Sequence, residues 1–454
     1  EVIDENNYHG PRDDRGLPDH KRLQKENPAD AVGFYCGLTS TIERVWELAK
    51  FYHQKGVKTI AGGWHAHYCP EETLQHNIDI VIHGAGEMVI QEILSALKEA
   101  KSVKDIPGIS FWEDGGIKTN SPGMMVVSNL SDLPYPDFGL LRFAKIKIYP
   151  VGRIRGCGMN CEFCSVKGKP RWATGQHLFE TIKWLVETRK ARYFFIVDDR
   201  SEEDLAGTLD FFNLVATEYK NHLCFTVQAR LEAAKNINFL ETMKAAGVSL
   251  VCIGYESPID EELRAMRKGY SSLQMLAWTK IWRKYFRVLG MLMFGYPLKD
   301  KKVVISARER AKRFKRFFRQ AHFDVVQVLR PVPLVGTDLR KRLEKEGRIF
   351  PQKLVPWSKY DGSFVCFQPD NMTVQDLQEI PEGLMNWFYD PLSLLRMILK
   401  TIAFPVDYLV RDWGRWHRGW YKEIIKYGGH RLIRGWQKRQ NTKLFIKRLE
   451  EFLD

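Results

Sequence analysis

The stretch from Arg155 to Cys164 (R-G-C-G-M-N-C-E-F-C) puts three cysteines into one short loop at C-x3-C-x2-C spacing, behind an apolar strand. Three thiolates this close can hold three irons of a [4Fe–4S] cube, because iron–sulfur clusters are ligated by cysteine thiolates. The fourth iron is then open to a small molecule. Zinc is the competing metal, but its structural sites take four closed ligands, and no fourth Cys or His stands at a usual spacing. Ligand count and type therefore point to an iron–sulfur cluster on Cys157, Cys161 and Cys164, and the rest of the chain is read around that loop.

At 454 residues the chain has room for two or three domains. Eight cysteines in this length, three of them in one loop, do not make a secreted disulfide framework. A labile cluster also asks for a reducing compartment, so the expected location is the cytoplasm. No run of 18 uncharged apolar residues occurs, which argues against a membrane-spanning helix. Residue 1 is Glu, and the expectation is a chain that starts partway through its first domain with no signal peptide before it. The net charge of +14 is concentrated at 308–319 and 411–448. Such an excess is either a solvated surface or a match for an anionic partner; the first cluster reads as surface and the second stays open.

Strand-like runs alternate with helical ones from the start. The end of a strand at Glu1–Asp4, then strands at 31–36, 57–61 and 78–82 with helices between, predict a parallel doubly wound sheet. Ligands in such sheets bind beyond the carboxyl ends of the strands, here at 35–40, 62–69 and 84–87. A hairpin with an Asp-Gly turn signal follows at 109–119, then a stiff proline-rich segment at 133–137. Beyond 146, six strand-like runs at 146–151, 193–197, 224–227, 250–253, 288–294 and 325–329 are separated by helical patterns. That is a partial (β/α)6 barrel, with functional residues at the strand ends. Cys224, Cys252, Cys366, Met291 and Met293 sit in apolar runs and read as core.

The cysteine loop resembles that of the radical S-adenosylmethionine (SAM) enzymes. The strand-end segments V-G-F-Y-C-G-L-T, A-G-G-W-H-A-H-Y-C-P-E-E and V-I-H-G-A-G-E resemble the cobalamin-binding domain found in front of many of them. The chain is thus similar to cobalamin-dependent radical SAM enzymes of the hopanoid-methylase type. The resemblance implies a Rossmann-like cobalamin domain over 1–100, a connector at 101–145, the radical barrel at 146–345 and a mostly helical region at 346–454. It implies that the open iron binds SAM, with Phe163 near the adenine. Asp198 and Asp199 fall where the family contacts the SAM amino group, although the usual Gly-Gly-Glu is missing. Gln228 and Arg230 end the third strand, where a guanidinium can pair with the SAM carboxylate. Glu256, in a G-x-E-S segment, falls near the ribose and methionine, and Gly295 near the adenine. Tyr35, Thr39, Ser40, Gly62, Gly63, Trp64, His65, Gly84 and Glu87 are the expected corrin contacts. The D-x-H-x-x-G signature of a cobalt-ligating histidine is absent, and His65 and His67 read rather as loop histidines than as cobalt ligands. Tyr255 and Tyr296 are the candidates to donate hydrogen or position substrate.

The same resemblance implies C-methylation of an unactivated carbon. One SAM would methylate cob(I)alamin, and a second would yield the 5′-deoxyadenosyl radical. An electron donor such as ferredoxin or flavodoxin would reduce the cluster. A radical cyclase or rearrangement enzyme on the same scaffold is the alternative, and a non-enzymatic iron–sulfur or membrane-associated module is another. The aromatic, basic stretch 392–436 either lies on a membrane or packs as a helical cap on the barrel, and the implied substrate is a hydrophobic molecule or lipid. No ordered nucleic-acid motif is present.

Overall fold

The computed structural model describes residues 1–120, 127, 129–404, 413–439 and 442–453. Near the N-terminus β1 (Ala31–Tyr35), β2 (Lys58–Gly62) and β3 (Ile80–Ile82) run parallel in the order β1-β2-β3. Side chains alternate across this sheet, as the pleat requires. Ile60, Ile80 and Ile82 join Val89 and Ile93 of the helix Val89–Lys98 in one core. Ala61 and Val81 face the other way, into the large core that also takes Ile42, Val45 and Ala49 of the helix Ile42–His53.

Two expectations for this region are corrected. The strand expected at Glu1–Asp4 is a single bridge between Val2 and Leu141. The hairpin assigned to the connector belongs to the first sheet: β4 (Ile109–Glu113) pairs antiparallel with β3, and β5 (Gly116–Thr119) pairs with β4. Ile109 and Phe111 are the reason, since both are buried in the core shared with Ile80 and Ile82. Its turn is the one the sequence signals, with Asp114 and Gly115 both at positive φ (50° and 77°).

The second sheet begins with β6 (Tyr149–Val151). The short β7 (Ile154–Arg155) and β8 (Arg171–Trp172) pair antiparallel and bracket the cysteine loop. Then β9 (Tyr193–Ile196), β10 (Cys224–Ala229), β11 (Val248–Glu256), β12 (Arg287–Met293) and β13 (Val325–Leu329) complete six parallel strands in the order β13-β12-β11-β10-β9-β6. Six α-helices, including Gly175–Arg189 and Ala307–Ala321, lie in the connections between them. This is the partial (β/α)6 barrel expected, and every strand ends at the face that carries the cysteine loop.

β13 is an edge strand, and its free backbone groups need partners. Tyr389, at the end of the helix Val374–Phe388, supplies them: its hydroxyl donates to the Val326 carbonyl (2.7 Å) and accepts from the Val326 N–H (2.8 Å). The helices Leu392–Ile402 and Trp413–Arg439 then pack on each other around Glu423, which accepts from Arg396 (3.0 Å) and Lys400 (3.3 Å). Part of the basic stretch, at 405–412 and 440–441, lies outside the described residues. Replacing Tyr389 by Phe leaves both Val326 groups buried and unpaired, at a cost of about 1–3 kcal/mol. The expected outcome is a lower midpoint of urea unfolding followed by circular dichroism; an unchanged midpoint would contradict the edge-capping role.

Candidate functional site

The cysteine loop is held by parts of the barrel distant in sequence. Gly156 and Gly158 flank Cys157 at φ +90° and +67°, a region open to glycine but costly for other residues. The Gly156 N–H donates to Asp199 Oδ2 (2.7 Å), and Lys167 Nζ donates to the Cys161 carbonyl (2.9 Å). Glu162, inside the loop, is buried at 2% exposure. It accepts from Arg342 Nε and Nη2 (both 3.0 Å) and from the Tyr296 hydroxyl (2.7 Å). Burial opposes its charge, yet Arg342 and Tyr296 hold its pKa below the usual carboxylate value.

All three cysteines line one cavity of about 250 Å³, together with Phe163, Asp199, Gln228, Arg230 and Glu256. Burial raises the thiols of Cys157 and Cys164. Glu256 ends β11 at φ +62°, just past a bulge against β12. A non-glycine residue held there is strained, and such strain concentrates at functional sites. Its Oε1 pairs with Lys268 Nζ at 3.0 Å, and the Lys268 side chain is only 8% exposed. Burial works against the Lys268 charge, but Glu256 more than offsets it, so its pKa lies above the usual lysine value. The ammonium also stands over the Phe163 ring, 5.6 Å from its centroid. Arg230 faces the same cavity but is already bound by Glu232 through Nε (2.7 Å) and Nη2. Cys252 and Met291, read as plain core, line the cavity too.

Lys268 was not found from the sequence. It follows the helix Asp260–Ala265, which turns the chain back toward the strand end, and no periodicity announces it.

Several expected residues lie elsewhere. Asp198 is buried beneath the site, where Oδ1 accepts from the N–H groups of Arg153 (2.6 Å) and Ile154 (2.9 Å). Tyr255 alternates to the outer face of β11, wholly buried, with its hydroxyl on Thr279 Oγ1 (2.8 Å). Tyr296 is also wholly buried and spends its hydroxyl on Glu162, so neither tyrosine reaches the cavity. Gly295 packs under the C-terminal region, where a Cβ would meet Leu377 Cδ1 at 2.5 Å.

A second, larger cleft of about 770 Å³ opens at the carboxyl ends of β1, β2 and β3. Tyr35, Gly62, Gly63, Gly84 and Glu87 line it, with Ile60, Ile82 and Ile90 as an apolar floor and Arg155 and Arg171 entering from the β7–β8 ribbon. A Cβ on Gly33 or Gly84 would meet nothing within 4 Å, so bare backbone faces the open space. Four expected contacts are not in this cleft. Thr39 and His65 are buried against each other (Nδ1 to Oγ1, 3.4 Å), and His65 Nε2 lies 3.4 Å from Glu72. Trp64 turns to the barrel and donates to the Val335 carbonyl (2.7 Å). Ser40 is half-buried outside the lining. Trp64 fastens the first domain to the segment after β13, as does Trp357, whose Nε1 donates to Glu72 (2.9 Å).

The B12 binding domain family matches residues 16–94, and the Radical SAM superfamily matches residues 151–309. The first match contains the glycine-lined strand ends of the larger cleft, and the second contains the three-cysteine cavity together with Arg155 and Arg171. The chain is a radical SAM enzyme with a B12-binding domain. An uncharacterized methyltransferase of Pyrococcus horikoshii is 24% identical over 418 residues, covering 88% of this chain and 88% of that protein. Hopanoid C-2 methylase of Rhodopseudomonas palustris is 24% identical over 226 residues, 48% of this chain and 41% of that protein. The solved structure of the radical SAM methyltransferase TsrM from Kitasatospora setae, with cobalamin and a [4Fe–4S] cluster bound, superposes with a TM-score of 0.67 at 14% identity. It covers 95% of this chain and 98% of that one, a likeness of fold.

The cofactors of this radical SAM enzyme are a [4Fe–4S] cluster, SAM and cobalamin. The residues present fit them. Three convergent thiols suit a cluster with one open iron, and a cleft walled by bare glycine backbone over isoleucines suits a broad, flat macrocycle.

Burial pushes the Asp198 carboxyl up to about 6, against the pull of the two backbone donors, from an ordinary 3.8. A carboxyl raised in the folded state stabilises the fold below its unfolded pKa, and that contribution is lost as pH rises through the folded one. Asp198→Asn keeps an acceptor for both N–H groups and removes the titration. The stability of the native chain relative to this variant is therefore expected to fall between about pH 4 and pH 6. Urea midpoints across that window check it; a difference independent of pH would contradict the assignment.

Proposed function

We propose that this enzyme transfers a methyl group, carried by cobalamin, to a carbon that has no acidic proton. The observation that carries the reading is the meeting of the two sites at β7: Arg155 lines the corrin cleft, and Cys157, two residues on, lines the cluster cavity. When bound, the cluster supplies the electron that opens SAM to a carbon radical, and cobalamin supplies the methyl carrier.

The chain's own residues bind and orient. Cys157, Cys161 and Cys164 hold the cluster. Lys268, which lines the cavity and stands over the Phe163 ring, receives the SAM carboxylate. Glu256, fixed by Lys268 and by its strained backbone, takes the ribose or amino end. Asp199 sets the loop through Gly156 and faces the same space. The carboxylates lining the cavity are all engaged: Glu256 by Lys268, Glu232 by Arg230 and Asp199 by the Gly156 N–H. An external one-electron donor such as ferredoxin or flavodoxin completes the requirement. The cobalamin domain extends to about residue 120, since the first sheet does.

With a reductant, SAM and cobalamin, incubation with the native substrate should give S-adenosylhomocysteine and 5′-deoxyadenosine in equal amounts. 5′-Deoxyadenosine without S-adenosylhomocysteine would replace methylation by cyclisation or rearrangement. Lys268→Met should weaken SAM binding by about tenfold or more, the loss of a charge-assisted bond being worth roughly 1.5–3 kcal/mol, while cluster absorbance is retained.

A lipid substrate, and contact with a membrane surface, are supported by the helix Leu392–Ile402. Leu392, Leu395, Ile398, Leu399 and Ile402 are all exposed on it, a contiguous apolar stripe of the kind that marks a membrane or partner contact. Among the described residues no helix is long and apolar enough to cross a membrane, so the contact proposed is peripheral. Sedimentation with anionic phospholipid vesicles should carry the native protein down and leave the Leu395→Ser/Ile402→Ser variant in solution. Equal partition of the two would remove the membrane contact.

A further inference from the structure

The β7–β8 ribbon reaches out of the barrel and into the cleft of the first sheet. Arg155 and Arg171 stand opposite each other across its ladder, and both line the cleft. Arg171 is fixed from behind, its Nη1 donating to the Val127 carbonyl (2.8 Å). Arg155 pairs with Glu87, which follows β3 on the opposite side, and its side chain is still 50% exposed. The next residue, Gly156, is set at φ +90° with its N–H on Asp199, and Cys157 follows directly. The chain has no slack between the cleft and the first cluster ligand.

We propose that Arg155 is a positioning residue shared by both cofactor sites, with its Glu87 pair coupling occupancy of the corrin cleft to the conformation of the cluster loop. The proposal rests on the cobalamin reading of the cleft. A corrin carries amide groups around its rim whose carbonyls accept hydrogen bonds, and a guanidinium offers five N–H donors in a fixed fork. Glu87 engages Nη1, and the half-exposed Arg155 side chain lines the cleft. A corrin that engages it fixes β7, and β7 sets Gly156 and Cys157. Because coupling between two sites is reciprocal, an assembled cluster must tighten corrin binding by the same factor as corrin tightens the cluster site.

The test is a titration of hydroxocobalamin, followed by its visible absorbance, into protein with a reconstituted cluster and into the same protein stripped of iron by a chelator. The ratio of the two dissociation constants is the readout. In the native chain it is expected to be at least about fivefold, the lower end of ordinary coupling. It should fall toward one in Arg155→Met and in Glu87→Gln, and Arg155→Lys should keep part of it. Glu87→Gln leaves the cluster loop's own sequence intact, so it reads the coupling even if Arg155→Met folds poorly. A native ratio of one, or the native ratio retained in both variants, would overturn the coupling alone. Native protein that takes up no hydroxocobalamin would overturn the cobalamin reading and the coupling with it.

Discussion

The cysteine loop makes no ladder of its own, so its buried backbone groups need partners from other parts of the chain. Those partners come from the whole barrel. Asp199, after β9, takes the Gly156 N–H. The Met266 carbonyl, beyond β11, takes the Glu162 N–H, and the Leu339 N–H, beyond β13, donates to the Glu162 carbonyl. The Glu162 side chain reaches Tyr296 after β12 and Arg342 after β13. Three thiols can converge only because four strand ends are already in place around them. Glu162 is the centre of that arrangement, since a buried carboxylate without its donors would cost several kcal/mol.

The same logic explains the chemistry the cavity can hold. Glu256 sits at a backbone conformation that a side chain disfavours, and Lys268 secures it there. The pair is nearly dry, which strengthens their attraction, and both side chains line the cavity. Arg230 and Glu232 form a similar pair on the adjacent strand end. A zwitterionic ligand meets opposite charges already fixed in position, so little rearrangement is needed when it binds.

Much of this was legible in the sequence. Cysteine spacing gave the cluster loop, and strand-helix alternation with glycine-rich strand ends gave both sheets and both open clefts. What was not legible depends on side-chain direction. Tyr255 and Glu256 are neighbours in sequence, yet the pleat sends one to the outer core and the other to the cavity. His65 and Trp64 sit in the right loop for a corrin, but in the short helix Trp64–Tyr68, Trp64 donates to the Val335 carbonyl and His65 packs between Thr39 and Glu72. Lys268 came into the site from the far end of a helix, a long-range placement that no local pattern encodes. The hairpin at Ile109–Thr119 looked free-standing because only its burial with Ile80 and Ile82 shows which sheet it completes.

The two cofactor sites, for a cluster and for a corrin, are neighbours on one chain and meet at β7. Electron paramagnetic resonance tests this directly, using protein loaded with the reduced cluster alone, with cob(II)alamin alone, and with both. The doubly loaded sample is expected to show a broadened, spin-coupled cluster signal. A spectrum equal to the sum of the two separate ones, at full loading of iron and cobalt, would contradict it.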